Sequence, residues 1–202
     1  MTNDYYNTIE TASSAEFSER GSKFIAYTYP IANVAEFKEK LAGIKKEHPK
    51  ATHHCFAYRL GLEGNTFRVS DDGEPSGTAG RPILGQIDSR QVTNVLVIVV
   101  RYFGGTLLGV PGLINAYKTA ASLALQVTTI VPKPVMVNCT IQFDYTQMND
   151  IMKIMKQFEC VVIKLDTQLF CALEAGIPKN RQEDVFYKLR ELRNVEVDAV
   201  ST

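Results

Sequence analysis

The hydrophobic pattern of the first 130 residues alternates between a period of two, typical of strands, and a period near 3.6, typical of helices. Two strands are predicted over Tyr6 to Phe17 and Lys23 to Ile31. A helix follows, in which Asn33 and Glu36 have the spacing of a capping box and Pro49 marks the end. The helix has one apolar stripe, which consists of Val34, Phe37, Leu41 and Ile44.

The alternation continues to the end of this segment. Strands are predicted at His53 to Leu60 and Thr66 to Ser70, a helix from near Ser76, and a central strand at Val92 to Val100. Pro111 suits the first position of a third helix, because the first turn of a helix leaves its N–H groups without partners in any case. The predicted order of elements is ββαββαβα.

A short linker is predicted at Val127 to Val135, where Pro132 and Pro134 favour extended backbone. It divides the chain into a first domain of residues 1–130 and a second domain of residues 135–202. Both domains mix helices with strands, so the predicted fold class is α+β with two domains.

The second domain shows six elements in the order βαββαβ. Its strands are predicted, with a turn at Asp166-Thr167 between the second and third, at Met136 to Tyr145, Cys160 to Leu165, Gln168 to Gly176 and Val195 to Val200. Asp144 or Thr146 is predicted to cap the first helix and Asn180 the second. This order is typical of the ferredoxin-like fold.

Composition narrows the class of protein without identifying a ligand. The chain is 45% hydrophobic and 22% charged, which is typical of a globular protein. The net charge is zero, with +2 through Lys133 and −2 after it, and this asymmetry is too small to indicate a nucleic-acid partner. The N-terminus lacks a signal-peptide pattern, the longest apolar run is too short to span a membrane, and the four cysteines form no CxxC pair. We therefore expect a cytoplasmic protein with reduced thiols and no membrane partner.

The glycines indicate where the functional site lies. Ten of the 13 glycines fall between Gly61 and Gly112, and most of them cluster in two loops on either side of the central strand. Loops held by a rigid scaffold commonly carry function. We therefore expect one site at the end of that strand, formed by the polar side chains of the two loops, namely Asp71, Asp72, Glu74, Arg81 and Arg101.

Several chemistries are compatible with these residues. The acids could bind Mg²⁺ or act in acid–base catalysis, they could form a structural ion-pair network with Arg81 and Arg101, or they could recognise a partner. His53 and Cys55 share one face of a predicted strand, but no further residues offer the spacing of a closed zinc site, which favours a structural role. The chain has no P-loop and no GxGxxG after a strand. No metal, cofactor or catalytic residue is predicted.

Four segments of the first domain resemble the Impact/YigZ family. They are SERGSKFIAY (Ser18 to Tyr27), ATHHCFAYRLG (Ala51 to Gly61), FRVSDDGEPSGTAGRPIL (Phe67 to Leu84) and VVRYFGGTLLGVPGLINAY (Val99 to Tyr117). The resemblance implies a first domain like domain IV of elongation factor G and a second like its domain V. It also implies an association with translation, through RNA, the ribosome or a translation-control protein.

Three functional hypotheses remain open. The first is a non-catalytic, translation-associated protein that binds RNA or a partner, because arginine and aromatic side chains suit phosphate contact and base stacking. The second is a hydrolase that uses Asp71, Asp72, Glu74, His53 or His54. The third is a module that binds a protein through an exposed Tyr102-Phe103 pair. The candidate contacts for RNA or a partner are Lys23, Arg59, Asp71, Asp72, Glu74, Arg81, Arg101 and Tyr102.

Overall fold

The computed structural model describes residues 4–167 and 170–199. The chain divides into two compact units, one of residues 6–133 and one of residues 134–202 together with residues 1–5. In the part of the chain that the structure describes, no helix is long and apolar enough to cross a membrane.

Residues 4–134, all of which the structure describes, form seven strands and three helices. The strands are β1 (Tyr5–Ile9), β2 (Ser13–Glu19), β3 (Ser22–Pro30), β4 (His53–Leu60), β5 (Thr66–Ser70), β6 (Val95–Tyr102) and β7 (Ile130–Pro134). The helices are α1 (Val34–Glu47), α2 (Gly80–Ser89) and α3 (Gly109–Val127).

The first unit is built on a five-stranded antiparallel sheet with the order β2-β3-β6-β4-β5. Strand β6 is central and its side chains alternate between two cores. Val95, Val97 and Val99 face the core that contains buried residues of α2 and α3. Leu96 and Ile98 face a second core that contains Phe37 and Ile44 of α1. The sheet is therefore covered on both faces, and this holds its strand ends and the adjoining loops in place.

The predicted cap of α1 is confirmed. The Asn33 side chain accepts hydrogen bonds from the backbone N–H groups of Ala35 and Glu36, at 2.9 and 3.0 Å. Glu36 reaches back and accepts from the N–H of Ala32 at 2.8 Å. The two bonds to Asn33 satisfy donors that the first turn would otherwise leave unbonded, and the bond to Glu36 holds the backbone just before the helix.

The second unit contains a four-stranded antiparallel sheet with the order β11-β8-β10-β9. Its elements are β8 (Met136–Phe143), α4 (Met148–Gln157), β9 (Val161–Thr167), β10 (Cys171–Pro178), α5 (Gln182–Arg190) and β11 (Val195–Ala199). The sheet and the two helices share one core, which includes Ile141, Ile151, Leu173 and Leu189. The predicted α+β class and the βαββαβ order of this unit are confirmed.

Several predicted boundaries in the first unit are wrong. The single strand predicted over Tyr6 to Phe17 is two strands, because β1 pairs with β7 whereas β2 pairs with β3. Helix α2 begins at Gly80 rather than near Ser76, because Asp71 holds the preceding residues in a loop. Helix α3 begins at Gly109, so Pro111 is its third residue, which still lies in the first turn.

Two capping predictions in the second unit are also wrong. The chain enters both helices through a short 3₁₀ turn, at Tyr145–Gln147 before α4 and at Lys179–Arg181 before α5. Among the described residues, no side chain caps either helix. Asp144 instead accepts a hydrogen bond from the Asn194 side chain at 3.1 Å. Asn180 donates to the hydroxyl of Tyr5 at 3.2 Å.

The connection between β9 and β10 also differs from the prediction. Asp166 and Thr167 are the last residues of β9 and pair with β10 instead of forming the turn. The predicted start of the next strand at Gln168 lies outside the described residues, as does Val200 at the end of the last predicted strand.

Candidate functional site

The ends of β4 and β6 place a histidine beside an arginine. His53 is the first residue of β4 and pairs across the sheet with Arg101, the seventh residue of β6. The loop that follows β5 brings Glu74 to both side chains. The Glu74 carboxylate lies 2.6 Å from Nη1 of Arg101 and 3.7 Å from Nε2 of His53. The candidate site is centred on these three residues.

Glu74 is the acceptor at the centre of this cluster, although it is almost fully buried. Its Oε1 atom accepts hydrogen bonds from Arg101 and, at 2.8 Å, from the hydroxyl of Tyr117 in α3. The carboxylate thus joins the loop after β5 to β6 and to α3. Because an ionised carboxylate loses its hydration on burial, this pairing is what makes the buried charge tolerable.

The Arg101 guanidinium is enclosed by two aromatic rings and the Ser22 hydroxyl. Its guanidinium carbon lies 5.5 Å from the ring centre of Phe24 and 5.6 Å from that of Phe103. Its Nη2 donates to Ser22 Oγ at 3.3 Å. Its Nε–H has no acceptor among the described residues. The positive charge is therefore engaged inside the protein, by Glu74 and by two ring faces.

Asp71 organises the loop that carries Glu74. Its Oδ1 accepts from the backbone N–H groups of Ala79 and Gly80, at 3.0 and 2.9 Å, and its Oδ2 accepts from Gly77 at 2.8 Å. Partial burial disfavours the charged form, but the three donors outweigh burial and lower the pKa of Asp71 below its usual value. Asp71 is an ionised structural residue whose two oxygens are occupied.

Asp72 fixes the two histidines at the start of β4. Its backbone carbonyl accepts from Nδ1 of His53 at 2.8 Å, so Nδ1 carries a proton. Its carboxylate accepts from the backbone N–H of His54 at 2.7 Å and lies 3.6 Å from Nζ of Lys45. The His53 ring is thereby oriented with Nε2 towards Glu74, and Nε2 is its remaining proton-exchanging atom.

A pocket of about 420 Å³ opens beside this cluster. His53, Glu74 and Arg101 form its polar end, and the start of α3 and the preceding loop form an apolar wall that includes Leu108 and Leu113. Apolar side chains on its rim remain exposed: Leu107 is 82% exposed, Val110 52% and Phe103 47%. The volume falls in the range of ligand pockets, and the exposed rim is the kind of surface that contacts a partner.

The Cys55 thiol and the Tyr117 phenol behind the cluster are unreactive at neutral pH. Cys55 donates through Sγ to the Tyr117 hydroxyl at 3.3 Å and lies 3.0 Å from the Asp71 carbonyl. Burial raises the pKa of the Cys55 thiol and of the Tyr117 phenol well above their usual values. Both groups therefore stay protonated at neutral pH, and Cys55 is not an activated nucleophile.

Few groups of this cluster are available to take part in catalysis. Asp71, Asp72 and Glu74 are each engaged by donors within the protein, so His53 Nε2 is the group best placed to exchange a proton with a molecule in the pocket. Within residues 4–167 and 170–199, no group of three or more His, Cys, Asp or Glu side chains could hold a metal ion.

The remaining predicted contacts are distributed over the first unit. Tyr102 lies on the opposite face of the sheet from Arg101, where its hydroxyl lies 2.9 Å from Nδ1 of His48. Lys23 is half-exposed and lies 2.8 Å from Glu16. Arg81 is exposed on α2 and makes no ion pair with any described residue. The cluster thus brings together Asp71, Asp72, Glu74 and Arg101, without Arg81.

Arg59 lies away from the cluster. It sits six positions after His53 in β4, about 20 Å further along the strand. There it donates to Asp88 at 2.9 Å through Nε and at 2.6 Å through Nη2, and Nη1 also donates to the Gly64 carbonyl. Arg59 fixes the turn after β4 to the end of α2.

Tyr117 and Ser22 were missed by sequence reasoning. Tyr117 falls on the apolar stripe of α3 with Leu113, Ala120 and Ala124, and a hydroxyl on such a stripe signals a buried hydrogen-bond partner. Ser22 offers no comparable signal, because its role depends on the close approach of the β2–β3 turn to Gly104. Its Oγ accepts from the backbone N–H of Gly104 at 3.1 Å.

A family model and solved structures match the part of the chain that carries this site. The model of the Impact N-terminal domain matches residues 20–125, more than half of the chain. A crystal structure described as that of a hypothetical protein is 30% identical and covers 98% of both chains with a TM-score of 0.82. The structure of the two-domain translational regulator Yih1 aligns with 59% of this chain and 48% of its own, at 25% identity and a TM-score of 0.40, which is too low to support an inference.

Two bacterial relatives match a longer part of the chain than that domain. IMPACT family member YigZ of Escherichia coli is 34% identical over 172 residues, which cover 84% of each chain. IMPACT family member YvyE of Bacillus subtilis is 37% identical over 146 residues, 72% of this chain and 67% of its own. Rat Protein IMPACT is 34% identical over 101 residues, 48% of this chain and 32% of its own. The protein belongs to the Impact family.

Proposed function

We propose that this chain is a translation-associated binding protein, without catalytic activity, that uses the loop-rich end of the five-stranded sheet to contact the ribosome, RNA or a translation-control protein. The link to translation comes from what membership of the Impact family implies. The observation that carries the location is the pocket beside Glu74 and Arg101, with its exposed rim of Phe103, Leu107 and Val110.

The buried charges support a structural role for the cluster beneath that rim. Glu74, Arg101 and Tyr117 tie the two loops to the sheet and to α3. A surface held in this way loses little conformational entropy on binding, which favours affinity. The cluster positions the rim, and the rim provides the contact.

Two kinds of contact can be distinguished by variants on this surface. Leu107 is the most exposed apolar residue of the rim, so Leu107→Ser removes apolar contact without disturbing the core. Lys23 and Arg81 are exposed cations of the same unit outside the cluster, so the double substitution Lys23→Ala and Arg81→Ala tests whether these cations contact phosphates. Arg101 is unsuitable for this purpose, because its removal leaves Glu74 buried without its cation.

Co-sedimentation with ribosomes at low and high salt tests the proposal. Contact through phosphates predicts binding that falls steeply with salt and weakens in the double variant. Contact through the rim predicts binding that is less dependent on salt and is lost with Leu107→Ser. Lys153→Glu, on an exposed position of α4, is the matched control and should bind as the unmodified chain does. Absence of co-sedimentation at low salt would contradict ribosome association.

A hydrolase is the second candidate, and the orientation of His53 is the observation that favours it. The hydrogen bond from Nδ1 to the Asp72 carbonyl leaves Nε2 as the acid–base atom at a pocket. Turnover of a panel of ester and amide substrates that disappears with His53→Gln would support an enzyme. Identical rates for His53→Gln and the unmodified chain would exclude His53 from any such reaction.

A further inference from the structure

Strand β9 forms an edge of the four-stranded sheet and carries apolar side chains that the protein leaves exposed. One side of β9 pairs with β10, and its other side has no partner within residues 4–167 and 170–199. Val161 and Ile163 are each 54% exposed, and Leu165 is 40% exposed. Open edges with apolar side chains are templates for pairing with another strand, and most proteins protect them.

The opposite edge of the same sheet shows such protection. Strand β11 carries Glu196 and Asp198, both exposed, on alternate positions of its five residues. Strand β9 has a single cation, Lys164, within the run Val161 to Leu165, and a single anion, Asp166, directly after it. The two edges of the sheet are therefore unlike, and β9 is the one suited to pairing.

The charge pattern of β9 is complementary to itself in one antiparallel register. Two copies of one strand can pair antiparallel about a two-fold axis perpendicular to the sheet. Residues directly opposite each other then lie on the same face, so the axis must pass between the two copies of one residue. An axis at Lys164 or Asp166 sets like charges against each other. An axis at Leu165 sets Lys164 of each copy opposite Asp166 of the other.

The same register suits the apolar residues. Leu165 faces its own counterpart, and Ile163 faces Thr167 of the second copy. Regular pairing ends at Ile163, where β9 already contains a bulge against β10, because Lys164 pairs with Glu174 whereas Val162 pairs with Ala175. Lys164 is free to turn to a new partner, since its contact with Glu174 is 3.9 Å long and both side chains are more than half exposed.

We propose that β9 is a homodimer interface, in which two copies of this chain pair antiparallel about Leu165 and join their four-stranded sheets into one of eight strands. The proposal is independent of the function proposed for the first unit. It requires only the second unit, and the closed two-fold pairing limits the assembly to two copies.

Sedimentation velocity of the full chain over a wide range of concentrations, at low ionic strength, tests this proposal with charge reversals. The unmodified chain should show a monomer–dimer equilibrium. Lys164→Glu and Asp166→Lys should each weaken dimerisation at least about tenfold, because two opposite-charge pairs become like-charge pairs. An equimolar mixture of the two variants should dimerise again, since both pairs of the mixed dimer then set an acid of the first variant opposite a lysine of the second.

The mixture separates the interface from effects within one chain. Lys164→Glu also places two acids near each other on β9 and β10, but mixing cannot relieve that repulsion. Lys153→Glu, an exposed reversal in the same unit, is the control and should dimerise normally. Circular dichroism should show that all variants remain folded. A monomer at every concentration, a dimer that neither reversal weakens, a mixture that stays monomeric, or oligomers larger than two would each overturn the proposal.

Discussion

At the scale of single residues, the candidate site depends on a buried ion pair. Glu74 and Arg101 are both almost fully buried and are joined at 2.6 Å. Each ion has lost most of its hydration, and the attraction between the two offsets that loss only while both are present. Removing one partner therefore costs more than removing both charges together.

Arg101→Met should destabilise the first unit by about 3 kcal/mol or more, because it leaves the Glu74 carboxylate buried without a cation. Adding Glu74→Gln should recover part of that stability, because glutamine is neutral and its oxygen still accepts from Tyr117. Urea unfolding of the two single variants and the double variant measures the coupling. Costs that simply add would show that the pair contributes nothing as a pair.

Asp71→Asn should destabilise the first unit at neutral pH by about 1 kcal/mol, because the side-chain amide cannot accept from Gly77 while Oδ1 serves Ala79 and Gly80. The folded state lowers the pKa of Asp71, so its stabilising effect is present above the unfolded pKa of about 4 and is lost as pH falls through the folded value. The stability difference from the unmodified chain should therefore shrink below about pH 4. Asp198→Asn, at an exposed position of β11, is the control and should change the free energy of unfolding at pH 7 by less than about 0.5 kcal/mol.

At the scale of elements, the site depends on a close approach between two turns. A Cβ atom on Gly104 would lie 1.9 Å from the carbonyl carbon of Gly21 and 2.3 Å from the backbone nitrogen of Ser22. Only glycine allows the loop after β6 to lie directly on the turn between β2 and β3. This contact is what places Ser22 against Arg101.

Gly104→Ala should destabilise the first unit by at least about 2 kcal/mol, because two backbone segments must separate to admit one methyl group. Gly43→Ala is the matched control, since a Cβ at this position within α1 would meet no atom of the described residues within 4 Å. It should stabilise the unit by up to about 1 kcal/mol through helix propensity. Thermal unfolding of both variants provides the measurement, and equal effects of the two would contradict the packing described.

The elements that sequence reasoning predicted well are those whose signals are local. Asn33 is followed by the acid and the apolar stripe of α1, and the cap forms as expected. Asn180 and Asp144 are also residue types that commonly cap helices, but their side chains bond to Tyr5 and Asn194, which are distant in sequence. The break between β1 and β2 carries no glycine or proline, because it arises from pairing with different strands. Each of these predictions was wrong because the actual partner is distant in sequence.

The candidate site shows the same division between local and long-range information. The glycine loops located Asp71, Asp72, Glu74 and Arg101 at one strand end, because glycine marks tight turns directly in the sequence. Their burial and pairing could not be deduced, since these depend on how closely α3 and the β2–β3 turn approach. Arg59 was grouped with them by charge alone, although its strand position places it at the other end of β4.

At the scale of the whole molecule, the chain contains two units with separate cores. Leu96 is fully buried in the core between the five-stranded sheet and α1. Leu173 is fully buried in the core of the second unit. We propose that the two units are independent domains, each stabilised by its own apolar burial.

Leu96→Ala and Leu173→Ala test that independence. Each substitution leaves a cavity and should cost about 2–5 kcal/mol in its own unit, which lowers the melting temperature of that unit by about 10 °C or more. Differential scanning calorimetry of the full chain should show two transitions, and each variant should lower a different one. Variants at distant sites without shared partners act separately. A single transition that both substitutions lower equally would mean that the two units unfold as one cooperative body.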